Sequence, residues 1–419
     1  MGSLRGKDMI MEEKLREYAK LLVEIGCNVQ KGQTLVLSAP VECAPFARLC
    51  ASAAYDAGAR EVVMNWGDDL LARERYLRAA NDVFDTVPEW RRRFYNDYAA
   101  EGVAYLAISA TDPETLRGVD TDRIIRAQKA SGEALEPFRR AQMNNEIAWC
   151  IGSVPIPSWA GKVFPDDGED AAMRKLWDAI FATVRVTGDG TAVEKWRAHL
   201  NTLEERRNKL NELRFKSLHY TNSLGTDLTV ELPEGHLWSS GRSVTPKGQA
   251  FVANMPTEEI FTAPHRLGIN GVVYAALPLV ENGNIIDKFH MVIRDGKIVE
   301  APAEVGEEFL KAAYTVDEGA SYFGEVALVP YDSPISNQGI LYYNTLFDEN
   351  ARCHLAFGEA YPECLEGGND MTRDELREHG LNWSINHVDF MVGTADLSIV
   401  GTTQGGKEIP VFAGGNFAI

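Results

Sequence analysis

Apolar residues at Met11, Leu15, Tyr18, Leu21, Leu22 and Ile25 recur at three- and four-residue intervals. That spacing predicts an amphipathic helix, with Gly26 as its stop. The apolar run TLVLSA then predicts a buried strand, and a second helix is expected over about 43–57, closed by Gly58. REVVMNW, VAYLAIS (103–109) and AWCIGSV (148–154) read as further short strands, with helical segments between them. Strands that alternate with helices in this way predict an α/β layer on a parallel sheet. A long charged helix over 192–215 follows, with Trp196, Leu200, Leu203, Leu210 and Leu213 near one stripe. It reads as the end of this layer and the link onward; a coiled-coil arm is the other reading, for which the stripe is short.

After residue 216 the pattern changes to alternation. SLHYTNSLGTDLTVELPEG turns at Gly225, and NGNIIDKFHMVIRDGKIVEA reads as a hairpin turning at Asp295-Gly296. ASYFGEVALVP, GILYYNTLFDENA and ADLSIVGTTQGGKEIPVFAGGNF continue in the same style. The expected fold is an α/β N-terminal domain with a parallel sheet (1–215), followed by an α+β, β-rich C-terminal domain (216–419).

Bulk properties narrow the function. A chain of 419 residues is long for one core, which agrees with two domains. A net charge of −19 argues against a nucleic-acid groove, which needs clustered Lys and Arg. The first twenty residues carry charges where a secretory leader needs an apolar stretch, and no run approaches a membrane span. A cytoplasmic protein is expected. The six cysteines form no CxxC pair and sit mostly in apolar surroundings, as reduced thiols do. HExxH, GxSxG, Walker and GxGxxG patterns are absent.

The histidines are more telling, because seven of eight follow residue 215. Several lie near acidic residues in short apolar strands, where an unpaired charge is costly to bury. Four places stand out: NMPTEEIFTAP (254–264), with Glu258 and Glu259; YFGEVALVP (322–330), with Glu325; ENARCHLAFGEAYPE (349–363), with His354 and Tyr361; and NHVDF, with His387 and Asp389. In a strand, His387 and Asp389 share one face with Ile385 and Met391, while Val388 and Phe390 take the other. Taken singly, that pair reads first as a buried hydrogen-bonded couple. In TEEIF, successive residues face opposite ways, so one of Glu258 and Glu259 reaches a given site and the other is solvated or salt-bridged. Together, three carboxylates and two imidazoles suit a shell for two divalent cations. Nitrogen and oxygen ligands without thiolate fit Zn, Co or Mn, with Mg at an oxygen-rich position.

In order and spacing, NMPTEEIFTAP, the Glu of GEVALVP, LYYNTLFDENARCHLAFGEAYPE and NHVDFMVG resemble the motifs of the aminopeptidase T family of thermophilic-type metallo-aminopeptidases. The likeness is densest from about 250 to 395. It implies a dinuclear metal site in the C-terminal domain, a homodimer held partly by the N-terminal domain, and removal of N-terminal residues from peptides with a free amine. On matching positions it implies Glu259, Glu325, His354, His387 and Asp389 as metal ligands and Tyr361 as a catalytic group close to them. Such a site works through a shared water whose pKa two cations lower, with a carboxylate, Glu258 or a metal ligand, as proton acceptor. The alternatives are a metal-dependent amidase or dipeptidase of narrower specificity, or a non-catalytic binding or scaffold protein that kept the fold.

Overall fold

The computed structural model describes residues 2–419. The first helix, Gly2–Leu21, widens into a π-turn over Leu22–Gly26, and a side chain at Gly26 would run into Cys150. The helix ends at Gly26, and the lack of a side chain there lets Cys150 pack against it. Four strands, β1 (Thr34–Pro40), β2 (Glu61–Gly67), β3 (Ala104–Ser109) and β4 (Trp149–Ser153), form a parallel sheet in the order β2-β1-β3-β4. Helices Ala44–Asp56, Asp69–Arg78, Glu89–Glu101, Thr121–Ala134 and Glu136–Met143 make up the connections. The long helix runs Ala192–Leu213 and buries Trp196, Leu200, Leu203 and Leu210. Its stripe is spent on the core, and no coiled-coil arm projects.

Beyond Leu213 the strands pair antiparallel. A ten-stranded sheet begins at Phe215–Thr221, and the hairpin at Asp295-Gly296 joins Asn284–Arg294 to Lys297–Glu300, with both turn residues at positive φ. A second, five-stranded sheet has the order His387–Met391, His354–Gly358, Phe323–Leu328, Ile260–Thr262, Ser239–Ser240. One of its faces, carrying Val326, Leu328, Leu355, Phe357, Val388 and Phe390, is buried in the main apolar core of this half. The other face carries the candidate site.

Two connections tie the layers together. Ile151 in β4 exchanges backbone hydrogen bonds with Ala253 and Met255, so the segment leading to Glu259 extends the edge of the parallel sheet. Tyr342 and Phe347 belong to the core of the parallel layer, where the Trp159 indole donates to the Tyr342 carbonyl. All six cysteines are buried free thiols. Among the described residues, no helix is long and apolar enough to cross a membrane.

Candidate metal centre

Register places the site. Glu325 lies opposite Ala356, which lies opposite Asp389; His354 faces Ala327 and Met391, and His387 faces Gly358. Cross-strand partners share a face, so these positions all look the same way. Small residues, Ala327, Ala356 and Gly358, separate the functional ones and leave space above the sheet. Gly358 has φ +109°, and a side chain there would strike the Asn386 carbonyl. The strand carrying His387 and Asp389 begins at His387 itself, later than its alternation suggests; Ile385 and Asn386 lie in a loop fastened by Asp317 and Ser384.

All five of the carboxylate and imidazole residues singled out in the sequence as ligands converge. His354 Nε2 lies 3.2 Å from Glu259, 3.6 Å from Glu325 Oε1 and 3.9 Å from Asp389. His387 Nε2 lies 3.1 Å from Glu325 Oε2 and 3.4 Å from Asp389. Glu259, Glu325 and His354 form one group able to hold an ion, and Glu325, His387 and Asp389 a second. Glu325 belongs to both.

The donor set fits divalent cations. His354 Nδ1 lies 2.9 Å from the Glu349 carbonyl, and His387 Nδ1 lies 2.7 Å from the Glu359 carbonyl. Each ring therefore donates outward through Nδ1 and turns Nε2 to the cluster, where it donates to the carboxylates while the ring is protonated and offers a lone pair to a metal once that proton leaves, the orientation of metal-ligating histidines. Metal bonds of roughly 2.0–2.1 Å in a tetrahedron set neighbouring ligand atoms about 3.3 Å apart, within the span of distances above. No Lys or Arg pairs with Glu259, Glu325 or Asp389 among the described residues, so the three buried acids have only imidazoles as partners. Burial raises the Glu259 carboxyl, against the His354 hydrogen bond. Burial acts on Glu325 too, but hydrogen bonds from His354 and His387 outweigh it and hold that carboxyl at about 2.

Tyr361 packs edge-on to the His387 ring, centroids 5.3 Å apart, and lines the same cleft. Burial, then the charges of Glu325 and Asp389, pushes its phenol well above the usual range. It is thus a hydrogen-bond donor at neutral pH.

Glu258 turns away. Its carboxylate meets Arg185 at 2.6 Å and His199 at 3.5 Å, on the side of the Ala192–Leu213 helix. This excludes it as the proton acceptor for the cluster. Cys353 also faces away, donating to the Val329 carbonyl inside the core. Glu349 is the acid that motif reading passed over. It is buried beside the cluster, held by Asn350 Nδ2, with its carboxyl raised first by burial and then by Asp389 and Glu259. Its signal in the sequence was a Glu five residues before His354 in an otherwise buried turn. Asn350 also accepts from the Glu258 N–H, linking that turn to the strand entrance at Glu259. The parallel layer supplies Asn145 and Trp149 to the cleft wall.

Known proteins match the chain over nearly its whole length. A family model described as thermophilic metalloprotease (M29) matches residues 11–417. The chain is 45% identical over 406 residues to aminopeptidase AmpS of Bacillus subtilis, covering 97% of this chain and 98% of that protein. It is 41% identical over 407 residues to aminopeptidase T of Thermus aquaticus, covering 97% and 99%. The solved structure of wild-type AmpT from Thermus thermophilus superposes with a TM-score of 0.89 at 39% identity, covering 97% of this chain and all of that one.

Proposed function

The chain belongs to the thermophilic metalloprotease (M29) family and is a metallo-aminopeptidase; from that premise we propose that the cluster on the five-stranded sheet is its catalytic centre and holds two divalent cations. Glu259, Glu325 and His354 would hold one, and Glu325, His387 and Asp389 the other, since Glu325 belongs to both groups. The observation that carries this is the placement of the two Glu325 oxygens, one toward each imidazole. Nitrogen and oxygen donors suit Zn, Co or Mn, with Mg where oxygens dominate. Cations bound there supply Lewis acidity, polarising the scissile carbonyl and lowering the pKa of a water.

The protein's own groups do the rest. Tyr361 donates a hydrogen bond to the oxygen that gains charge as the carbonyl is attacked. Glu349, buried beside the cluster but in neither ligand group, would take the proton of the attacking water and return it to the leaving amine once cation charge offsets the neighbouring acids that raise its carboxyl. The substrates are peptides with a free N-terminus. In this reading residues 216–419 form the catalytic domain, residues 1–215 form the scaffold, and the protein works in the cytoplasm.

The same reading includes a homodimer. The Asp69–Arg78 helix buries none of its residues, and Leu70 and Leu71 are 69% and 67% exposed. Trp66 and Val41 add exposed apolar surface at the ends of β2 and β1, where Pro40 and Gly67 pair. An apolar face of this kind on an edge strand and its helix is suited to a second copy.

Exhaustive chelation tests the proposal. Cleavage of leucine p-nitroanilide should vanish and return with Zn, Co or Mn, while N-acetyl-leucine p-nitroanilide remains uncut throughout. Full activity in the chelated enzyme would reject the metal centre, and equal rates on the acetylated substrate would reject N-terminal recognition by it.

A further inference from the structure

The cleft has a polar wall that the metal cluster does not use. Ser240 and Gly241 at the sheet edge, Thr257, Asn145 and Glu363 form it. The Glu363 carboxylate accepts a hydrogen bond from Asn145 Nδ2 at 2.5 Å and from Ser239 Oγ at 3.3 Å. Both donors are neutral. Among the described residues no Lys or Arg makes an ion pair with it, and Arg207 acts on it only from longer range. Two neutral donors leave about half of a carboxylate's acceptor positions open, and a buried anion without a cation is costly.

The same wall carries two more unused polar groups. Ser240 Oγ and Thr257 Oγ1 have no hydrogen-bond partner, although the residues are only 2% and 1% exposed. A side chain on Gly241 would come within 2.5 Å of Thr257 Cγ2, so only glycine lets the edge strand close down on Thr257. A half-buried carboxyl with no cation beside it, which burial pushes up to about 7, and two unpaired buried hydroxyls in the same cleft describe a site for a small, positively charged, hydrogen-bonding group.

We propose that Glu363, assisted by Ser240 and Thr257, binds a cationic nitrogen of the residue being removed. This rests on the catalytic cluster assigned above. An N-terminal α-ammonium carries that chemistry in every substrate, and holding it at a fixed place beside the cluster would limit the cut to one residue. A lysine side chain in first position carries the same chemistry with longer reach.

Steady-state kinetics of Glu363→Gln on leucine and lysine p-nitroanilides separates the two sources. The variant keeps the size and hydrogen-bonding capacity of the side chain and removes its charge. Binding of the α-ammonium predicts a fall in kcat/KM of about 100-fold on both substrates, mostly as a rise in KM, the scale of losing one partner of a buried charge pair. Binding of the side chain predicts that fall on lysine alone, with leucine unchanged. Metal content per chain should equal that of the wild type. Unchanged kinetics on both substrates would overturn the proposal. So would loss of metal, because Glu363 would then belong to the cluster. Should the Gln variant fail to fold, Ser240→Ala decides: a KM raised several-fold supports the site, and an unchanged KM overturns it. Failure of the catalytic reading itself appears elsewhere, as a wild-type enzyme indifferent to chelation.

Discussion

Glu325 Oε2 lies 3.1 Å from His387 Nε2, while its other oxygen is turned to a second imidazole 3.6 Å away. One carboxylate thus serves two groups of ligand atoms. Glu325→Gln should therefore release both cations and abolish activity, whereas Glu259→Gln should release one. Plasma mass spectrometry of gel-filtered protein measures the difference. Equal metal loss in the two variants would remove Glu325 from its shared position.

Tyr361 is placed to donate without being needed for metal binding, since its ring stands beside His387 and outside both ligand groups. Tyr361→Phe should keep full metal content and a similar KM while kcat falls by roughly 10²–10³-fold, the scale of losing one oxyanion donor. A variant with wild-type kcat would show that the phenol does not meet the transition state.

Ala356 holds open the space between Glu325 and Asp389, its neighbours on the two flanking strands. Enlarging it to Val or Leu should crowd those carboxylates while costing about 1–3 kcal/mol of stability. The expected outcome is a folded protein by circular dichroism that has lost metal and activity. Full metal content in Ala356→Leu would mean the ions sit elsewhere.

Leu70 and Leu71 lie on a helix with no buried residue, beside the exposed edge strand β2. Replacing both with Glu should turn a dimer into a folded monomer, measured by light scattering at micromolar concentration. A wild-type protein that is monomeric under those conditions would reject this face as a self-association surface.

Asp348 accepts N–H bonds from Tyr342 and Asn344, at 3.0 Å each, in the turn that precedes Glu349. Burial raises its carboxyl to about 7, against those backbone bonds, which lower it. Between about pH 4 and 7 the folded protein holds a proton that the unfolded chain has released. The stabilising contribution is complete below that range and is lost as pH rises through 7, at no more than about 1.4 kcal/mol per pH unit. Asp348→Asn removes this dependence. Its Tm relative to wild type should shift in its favour from pH 5 to 8, and a constant difference across that range would reject the raised carboxyl.

What neighbouring residues settle among themselves is legible in the amino-acid sequence alone. Three- and four-residue apolar spacing produces the Ala44–Asp56 and Ala192–Leu213 helices, and period-two alternation places Val388 and Phe390 opposite His387 and Asp389. These patterns are readable because a helix turn or a strand pleat involves only residues close along the chain. The tertiary structure decided the rest. Antiparallel register sets Glu325, Ala356 and Asp389 in one row although many residues separate them, and it fixes which oxygen meets which imidazole. Arg185 captures Glu258 and leaves Glu259 for the cluster, a choice that TEEIF alone leaves open. Asn145 and Ser239 meet at Glu363 from distant parts of the chain. Such contacts depend on how separate segments pack, and no local period records them.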